Sequence, residues 1–383
     1  MSHIKSYKIR LYPTKTQEEL MWKHVGACRW LWNYMLEMQG KNHEQGGKYI
    51  SRFNMIKLLT PLKKQEALWL NEVSNKTLEV VCTDLNIVFQ EFFKKRRGYP
   101  KFKSRKRSKP NFPIRSESLY FTESETANVE KIGKIRYKTD FVFPKGKGKA
   151  KFSNARISNR NGKWLLSFGM EVENQDFTLT DSVVGIDLGI KDLAVVAVDD
   201  EVIVHHNINK SRRVRTLKKN LKRTQRAISR KYEASRKRNG GKYVKTNNIV
   251  KLETKARHLH ARIANIRQNY LHQVTHSIVK ELPRRVVMED LNVTGMMKNR
   301  HLSKAIAEQC FHEFVRQMEY KCEWRGIEFV LADRFYPSSK TCSGCGHIKQ
   351  DLKLGDRTYV CEECGLVIDR DANAAINLQK YCA

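Results

Sequence analysis

The sequence predicts an α+β multidomain protein: a discontinuous β-barrel-like domain that holds a helical insertion, followed by a mixed α/β domain with a cysteine-rich insertion near its end. Three observations carry this. Short alternating apolar runs appear at residues 4–12 and again across 112–173, with helix-period apolar stripes between them. From Val183 onward the order reads three strands, helix, strand, helix, strand, helix. Four cysteines, Cys342, Cys345, Cys361 and Cys364, form two Cys-x-x-Cys pairs separated by fifteen residues, the spacing of a four-thiolate zinc site.

Composition narrows the partner. At 383 residues the chain exceeds the length at which one core stops growing, so two or more domains are expected. Its 73 Lys and Arg against 40 acidic residues give a net charge of +33, spread through most of the chain. Such a field condenses on a polyanion, and nucleic acid is the expected partner, ahead of an anionic membrane surface. No segment approaches eighteen uncharged apolar residues, and Met1-Ser2-His3-Ile4-Lys5 lacks the apolar core of a signal peptide. A cytoplasmic protein with no membrane and no small-molecule substrate is expected. The remaining cysteines, Cys28, Cys82, Cys310, Cys322 and Cys382, sit in helix-like contexts and read as reduced thiols.

The elements follow in order. Residues 4–12 place Tyr7, Ile9 and Leu11 on one face of a strand, which Pro13 ends. Thr16 with Glu19 reads as a capping box that opens a helix holding Trp22, Trp30, Trp32 and Tyr34, packed on both sides. A second helix over residues 75–95 carries Leu78, Cys82, Leu85, Phe89 and Phe92 as one stripe, so residues 17–97 form a helical lobe. Residues 94–109 interleave cations with rings, and Gly98 and Pro100 deny them a helix. Lys94, Lys95, Arg96, Arg97, Tyr99, Lys101, Phe102, Lys103 and Arg105 are therefore candidate nucleic-acid contacts, with charge for phosphates and rings for bases. Runs at 134–137, 141–143 and 164–168 then read as strands of a small barrel or open sheet.

The second half begins at Val183. Val184, Ile186 and Leu188 share one face of a strand and Asp187 takes the other; residues 193–198 and 201–204 continue as an antiparallel meander. Residues 210–238 and 246–281 read as a basic helical hairpin, its second arm on the order of 50 Å long. Residues 286–291 form a fourth strand with Glu289 and Asp290, 303–325 a helix, and 328–332 a fifth strand. The knuckles and a last helix from Asp369–Asp371 to Lys380 complete the chain.

This order is that of the ribonuclease H architecture. Its chemistry needs carboxylates from the centre of the first strand, the end of the fourth and a terminal helix, and Asp187, Glu289 and Asp371 occupy those places. Acids so close repel one another, so the site is sensible only with divalent cations among them. Two magnesium ions some 3.5–4 Å apart, roughly as in known two-metal sites, would serve phosphodiester cleavage. Glu289 and Asp290 point to opposite faces, so only one can aim at the metals, and Asp371 competes for the third place with Asp369, which reads as an N-cap of the final helix.

Several motifs together resemble the TnpB (OrfB) proteins of insertion sequences, relatives of type V CRISPR effectors. They are Gly185-Ile186-Asp187-Leu188-Gly189, Val287-Met288-Glu289-Asp290-Leu291, the two cysteine knuckles, and Asp369-Arg370-Asp371-Ala372-Asn373-Ala374-Ala375. Tyr12-Pro13-Thr14, residues 98–103 and residues 333–340 fit the same family. The resemblance implies an RNA-guided DNA endonuclease. A structured, transposon-derived guide RNA would direct it to double-stranded DNA beside a short target-adjacent motif, and one RuvC site would cut both strands to leave staggered ends. It implies a wedge domain at 1–16 and 105–180, a recognition lobe at 17–104, a RuvC-like domain at 181–335 with its basic hairpin at 210–282, a four-cysteine zinc-binding insertion at 336–366 and a closing RuvC helix at 367–383. By the same carry-over Asp187, Glu289 and Asp371 are the RuvC acids and magnesium ligands, and the four cysteines hold one structural zinc. Two other readings remain open: a RuvC-like nuclease or transposase accessory acting without guide RNA, and a guided protein that binds without cutting.

Overall fold

A long strand opens the chain in the computed structural model, which describes residues 2–173, 175–353 and 355–382. This strand, β1 (Ser2–Tyr12), buries Ile9 and Leu11 as its alternation predicts. Helix α1 (Lys15–Glu44) follows, and its cap lies two residues earlier than expected. Thr14, not Thr16, accepts from the Gln17 amide, and Gln17 returns the bond to the Thr14 amide; Pro13 ends the strand one residue before, so Thr14 is the first residue free to cap. Helix α2 (Arg52–Gln65), absent from the sequence reading, packs on α3 (Asn75–Phe93), which in turn packs beside α1. The α3 stripe of Leu78, Cys82, Leu85 and Phe89 is buried as expected.

Six strands follow: β2 (Asn111–Pro113), β3 (Leu119–Phe121), β4 (Thr126–Val129), β5 (Gly133–Lys138), β6 (Phe152–Arg160) and β7 (Lys163–Glu173). They form one sheet with β1 in the order β2-β6-β7-β1-β5-β4-β3, so the first strand of the chain lies inside a sheet whose other strands begin only at Asn111. The hydrogen-bonded order has two ends and is not a closed ring. Yet Phe121 on the last strand packs 5.6 Å from Phe152 on β6, which in a flat sheet would stand roughly 24 Å away at about 4.8 Å per strand. The sheet is therefore curled around an aromatic core of Phe121, Phe143, Phe152 and Phe168. Phe141–Phe143 is not a strand: Phe143 leaves the ladder to fill that core, stacked on Phe121 at 4.6 Å. One apolar cluster joins sheet and helices, so Met1–Glu173 is a single compact unit.

The second unit, Asn174–Ala383, is built on a five-stranded sheet. Its strands β8 (Thr180–Leu188), β9 (Asp192–Val198) and β10 (Glu201–His206) form the expected antiparallel meander. Helices α4 (Arg212–Arg238) and α5 (Asn247–Lys280) form the basic hairpin, with Val214 and Leu217 against Ile263. The apolar stripe of α5 is divided: its first half packs on α4, and Leu271, Val274 and Ile278 join the sheet core. Strand β11 (Pro283–Glu289) pairs in parallel with β8 and ends at Glu289, two residues sooner than read. After the short α6 (Val293–Met296), the helix expected over 303–325 is two, α7 (Ser303–Gln309) and α8 (Phe311–Glu323). Cys310 breaks it with a left-handed φ of 58°, while the buried Gln309 donates to Gly189 O at 2.8 Å in the β8–β9 turn. Strand β12 (Glu328–Ala332) closes the sheet in the order β10-β9-β8-β11-β12, β13 (Thr358–Val360) and β14 (Val367–Asp369) form a hairpin, and α9 (Arg370–Gln379) ends the fold. No helix among the described residues is long and apolar enough to cross a membrane.

Candidate functional site

The alternation of β8 and β11 sorts their residues between two layers. Val184, Ile186, Leu188, Val286 and Met288 face the core shared with α5 and α8. Val287 packs instead with Leu378 of α9, so Glu289, two residues on, also faces α9. Asp187 follows Gly185 by the same step. At Gly185 α9 leaves no room for a side chain: a Cβ there would stand 2.1 Å from Ala375 O and 2.2 Å from Gln379 N. Since Asp371 precedes Ala375 by one turn, it lies on the same helix face, over the end of the strand that carries Asp187. In the parallel pairing Met288 stands beside Ile186, and Glu289 and Asp187 come next on each strand. Asp187, Glu289 and Asp371 thus share one side of one sheet end.

Their electrostatics reflect this closeness. Burial, then the charges of Glu289 and Asp371, push the Asp187 carboxyl up to about 8. Burial and neighbouring Asp290 raise Glu289. Asp371 is largely enclosed, with the Arg370 guanidinium 3.2 Å from one oxygen and Arg357 Nη1 3.9 Å from the other. Asp290 lies beyond the strand and is paired with Arg334, which leaves Glu289 as the acid aimed inward. Asp369 caps α9, accepting from the Asp371 and Ala372 amides, so its role separates from that of Asp371. An all-carboxylate set in which burial and mutual repulsion disfavour ionisation of one member suits hard divalent cations, which would favour its ionised form.

The cysteines make a second centre. Cys342, Cys345, Cys361 and Cys364 bring their sulfurs within 4.8 Å of one another, the one group of this kind among the described residues. Each knuckle turns on a glycine with positive φ, Gly346 at 81° and Gly365 at 73°. Amide donation from Cys364 helps draw the Cys361 thiol down to about 6. Four convergent sulfurs fit a tetrahedral zinc ion.

Two buried asparagines that the sequence reading passed over join this centre to Asp371. Asn373 Nδ2 donates to Thr341 O at 2.6 Å and its oxygen accepts from the Ser343 amide at 2.9 Å. Asn377 donates to Ser338 O and Thr341 O. Their i, i+4 spacing beside Asp371 was the available signal. Of the proposed nucleic-acid contacts, Lys94, Lys95, Arg96, Arg97, Tyr99, Lys101, Phe102 and Arg105 are exposed, whereas Lys103 is half-buried.

The chain is similar to known proteins along its whole length. Residues 167–300 match a family described as "Probable transposase" of the OrfB type, and residues 311–378 one described as "Cas12f1-like, TNB domain". Residues 1–48 match a "Helix-turn-helix domain", although here they form β1 and a single continuous α1. A Streptomyces pristinaespiralis protein named "Putative RNA-guided DNA endonuclease" is 32% identical over 98% of this chain and 88% of its own length. The chain belongs to the TnpB (OrfB) family. The Escherichia coli K12 protein InsQ, which bears the same description, is 31% identical over 99% of this TnpB-family chain and 92% of its own. Among solved structures, a Cas12f1 chain in complex with guide RNA and target DNA has the same fold, at a TM-score of 0.54, 14% identity and 99% coverage of both chains.

Proposed function

We propose that this TnpB-family chain is an RNA-guided DNA endonuclease whose cutting site is formed by Asp187, Glu289 and Asp371. The observation that carries the reading is the placement of these three acids on one side of one sheet end, two on strands and Asp371 on the first turn of α9 above them. The names of the full-length relatives and the +33 charge support RNA and DNA as partners.

The protein's part in the chemistry is to hold three oxygen donors at one point and exclude other ligands. Divalent cations, two magnesium ions by this donor set, would activate water and stabilise the departing 3′ oxygen of a phosphodiester. Asp187, protonated at neutral pH without a counter-charge, would give up its proton as the cations enter. Asp371 is positioned by the Asp369 cap and by the Asn373 and Asn377 bonds to the zinc-binding insertion. A single site would cut the two strands in turn and leave staggered ends.

The test is cleavage of a matched plasmid by protein purified with its RNA, in magnesium. Asp187→Asn is expected to abolish cutting while RNA stays bound. Magnesium-dependent cutting by that variant would remove the site assignment. Cutting by RNA-stripped protein would favour the unguided nuclease, and a matched target left uncut by the parent would favour a binding-only role.

A further inference from the structure

Beneath the basic loop of the first unit lie two cavities of about 820 and 630 Å³, and Asp84 and Lys103 line both. The loop after α3 walls one side, and α1 and α3 the other. Arg29, Arg105 and Lys109 line the larger cavity and Arg97 the smaller. Asp84 is the one acid lining either, and it is engaged: Arg156 holds both its oxygens, at 2.7 and 2.9 Å.

Lys103 has no such partner. Asn33 fixes its backbone from both sides, donating to Lys103 O at 2.9 Å and accepting from Lys103 N at 2.7 Å, and Trp32 Nε1 holds Lys101 O at 3.1 Å. The loop is thereby pinned where it carries this side chain. The ammonium sits over the Trp32 ring, 3.4 Å from its centre, with no carboxylate within 4.0 Å among the described residues. Burial pulls it down to about 8, and the nearby Asp84, already held by Arg156, offsets only part of that. A desolvated cation is costly unless an anion meets it, and here the charge borders space large enough to admit one.

We propose that these adjoining cavities bind a nucleotide of a single-stranded nucleic acid, with its phosphate at Lys103 and its base on the exposed face of Trp22. Trp22 lines the larger cavity with 44% of its surface open, and its ring centre lies 5.1 Å from that of Trp164 in a T-shaped pair. Stacking on such a ring tolerates any base, and the combination of ring and desolvated cation is that of single-strand binding sites. Cavities of this size take a nucleotide, and only a single strand leaves its base free to leave the stack and meet the ring.

The inference rests on reading the chain as a nucleic-acid protein, but not on cleavage, so it is tested in chelator. A mixed-sequence single-stranded RNA, its DNA counterpart and the corresponding duplex are each cross-linked by ultraviolet light to the full chain, and the adducts are mapped by mass spectrometry. Adducts on the peptide carrying Trp22 and Cys28 are expected with a single strand and not with the duplex; the strand that gives them, RNA or DNA, identifies the source. Lys103→Met should remove them and make log affinity against log salt shallower by about 0.7, the contribution of one single-strand phosphate. The exposed rim variant Arg105→Ala/Lys109→Ala should weaken the same adduct and serves if Lys103→Met does not fold. Single strands that bind but cross-link only elsewhere, or adducts unchanged in both variants, would overturn the inference while leaving the nuclease reading intact. Failure of any strand to bind would overturn both.

Discussion

Gly185→Ala asks whether the approach of α9 to β8 sets the proposed cutting site. The added Cβ would stand 2.1 Å from Ala375 O, 2.2 Å from Gln379 N and 2.9 Å from Gln379 Cα. All three are backbone atoms, so no rotamer change relieves them, and α9 must retreat by more than about 1 Å to restore ordinary contact in a close-packed interior. Overpacking of this kind costs about 1–3 kcal/mol. At about 2–4 °C per kcal/mol for a unit of this size, the melting temperature should fall by roughly 4–8 °C in the middle of that range. Asp371 moves with the helix, and misplacing a catalytic group by about 1 Å costs on the order of 10²-fold in rate. Cleavage of a matched plasmid should therefore drop far more than the folded fraction at the assay temperature, as compared by calorimetry and initial rates. A variant that melts and cuts like the parent would refute the close packing at Gly185 as the device that places Asp371.

Two further outcomes follow from the site. With divalent cations chelated, Asp187 binds its proton more tightly folded than unfolded, so its contribution to stability is present below about pH 4 and is lost as pH rises toward 8; Asp187→Asn should flatten this slope in melting curves and out-melt the parent near pH 8, and an identical pH profile would count against the burial of the acid. Cys342→Ser/Cys345→Ser should reduce bound zinc, measured by elemental analysis, from one equivalent toward none and cut activity with it, whereas retained zinc would contradict the four-sulfur centre.

The parts of this fold that could be read from sequence are those where one local pattern decides the outcome. The alternation through Val184, Ile186 and Leu188 placed Asp187 on the opposite face, and the sheet follows that alternation because α5 and α8 bury one side and α9 the other. The Asp369 cap was legible for the same reason. Where tertiary demand competes with pattern, the reading slipped. Cys310 lies in a periodic apolar stretch that reads as one helix, but Gln309 is drawn to the β8–β9 turn and the backbone breaks beside it. Phe141–Phe143 has strand composition, yet Phe143 is needed in the curled sheet's core. Lys103 reads as one more exposed cation in a basic run. Only the Asn33 and Trp32 contacts, seventy residues earlier in the chain, show it turned inward.

The placement of the cysteine insertion directly before α9 has a mechanical reading. Helix α9 carries two working sides. Ala375 lies against Val195 and Ala197 of the sheet, while Asn373, Asn377 and Lys380, spaced by four and three, bond to backbone oxygens at Ser338, Thr341 and Ser343 in the first knuckle. The Arg370 amide donates to Arg357 O beside the β13–β14 hairpin, so the second knuckle holds the start of the same helix. With the sheet on one side and both knuckles on the other, α9 has little freedom to slide or rotate. The Asp371 carboxylate inherits that rigidity. An ion bound by the four sulfurs, remote from the reacting phosphate, would thus govern cutting through the position of one acid, and Asn377→Ala should lower the rate even where zinc is fully retained.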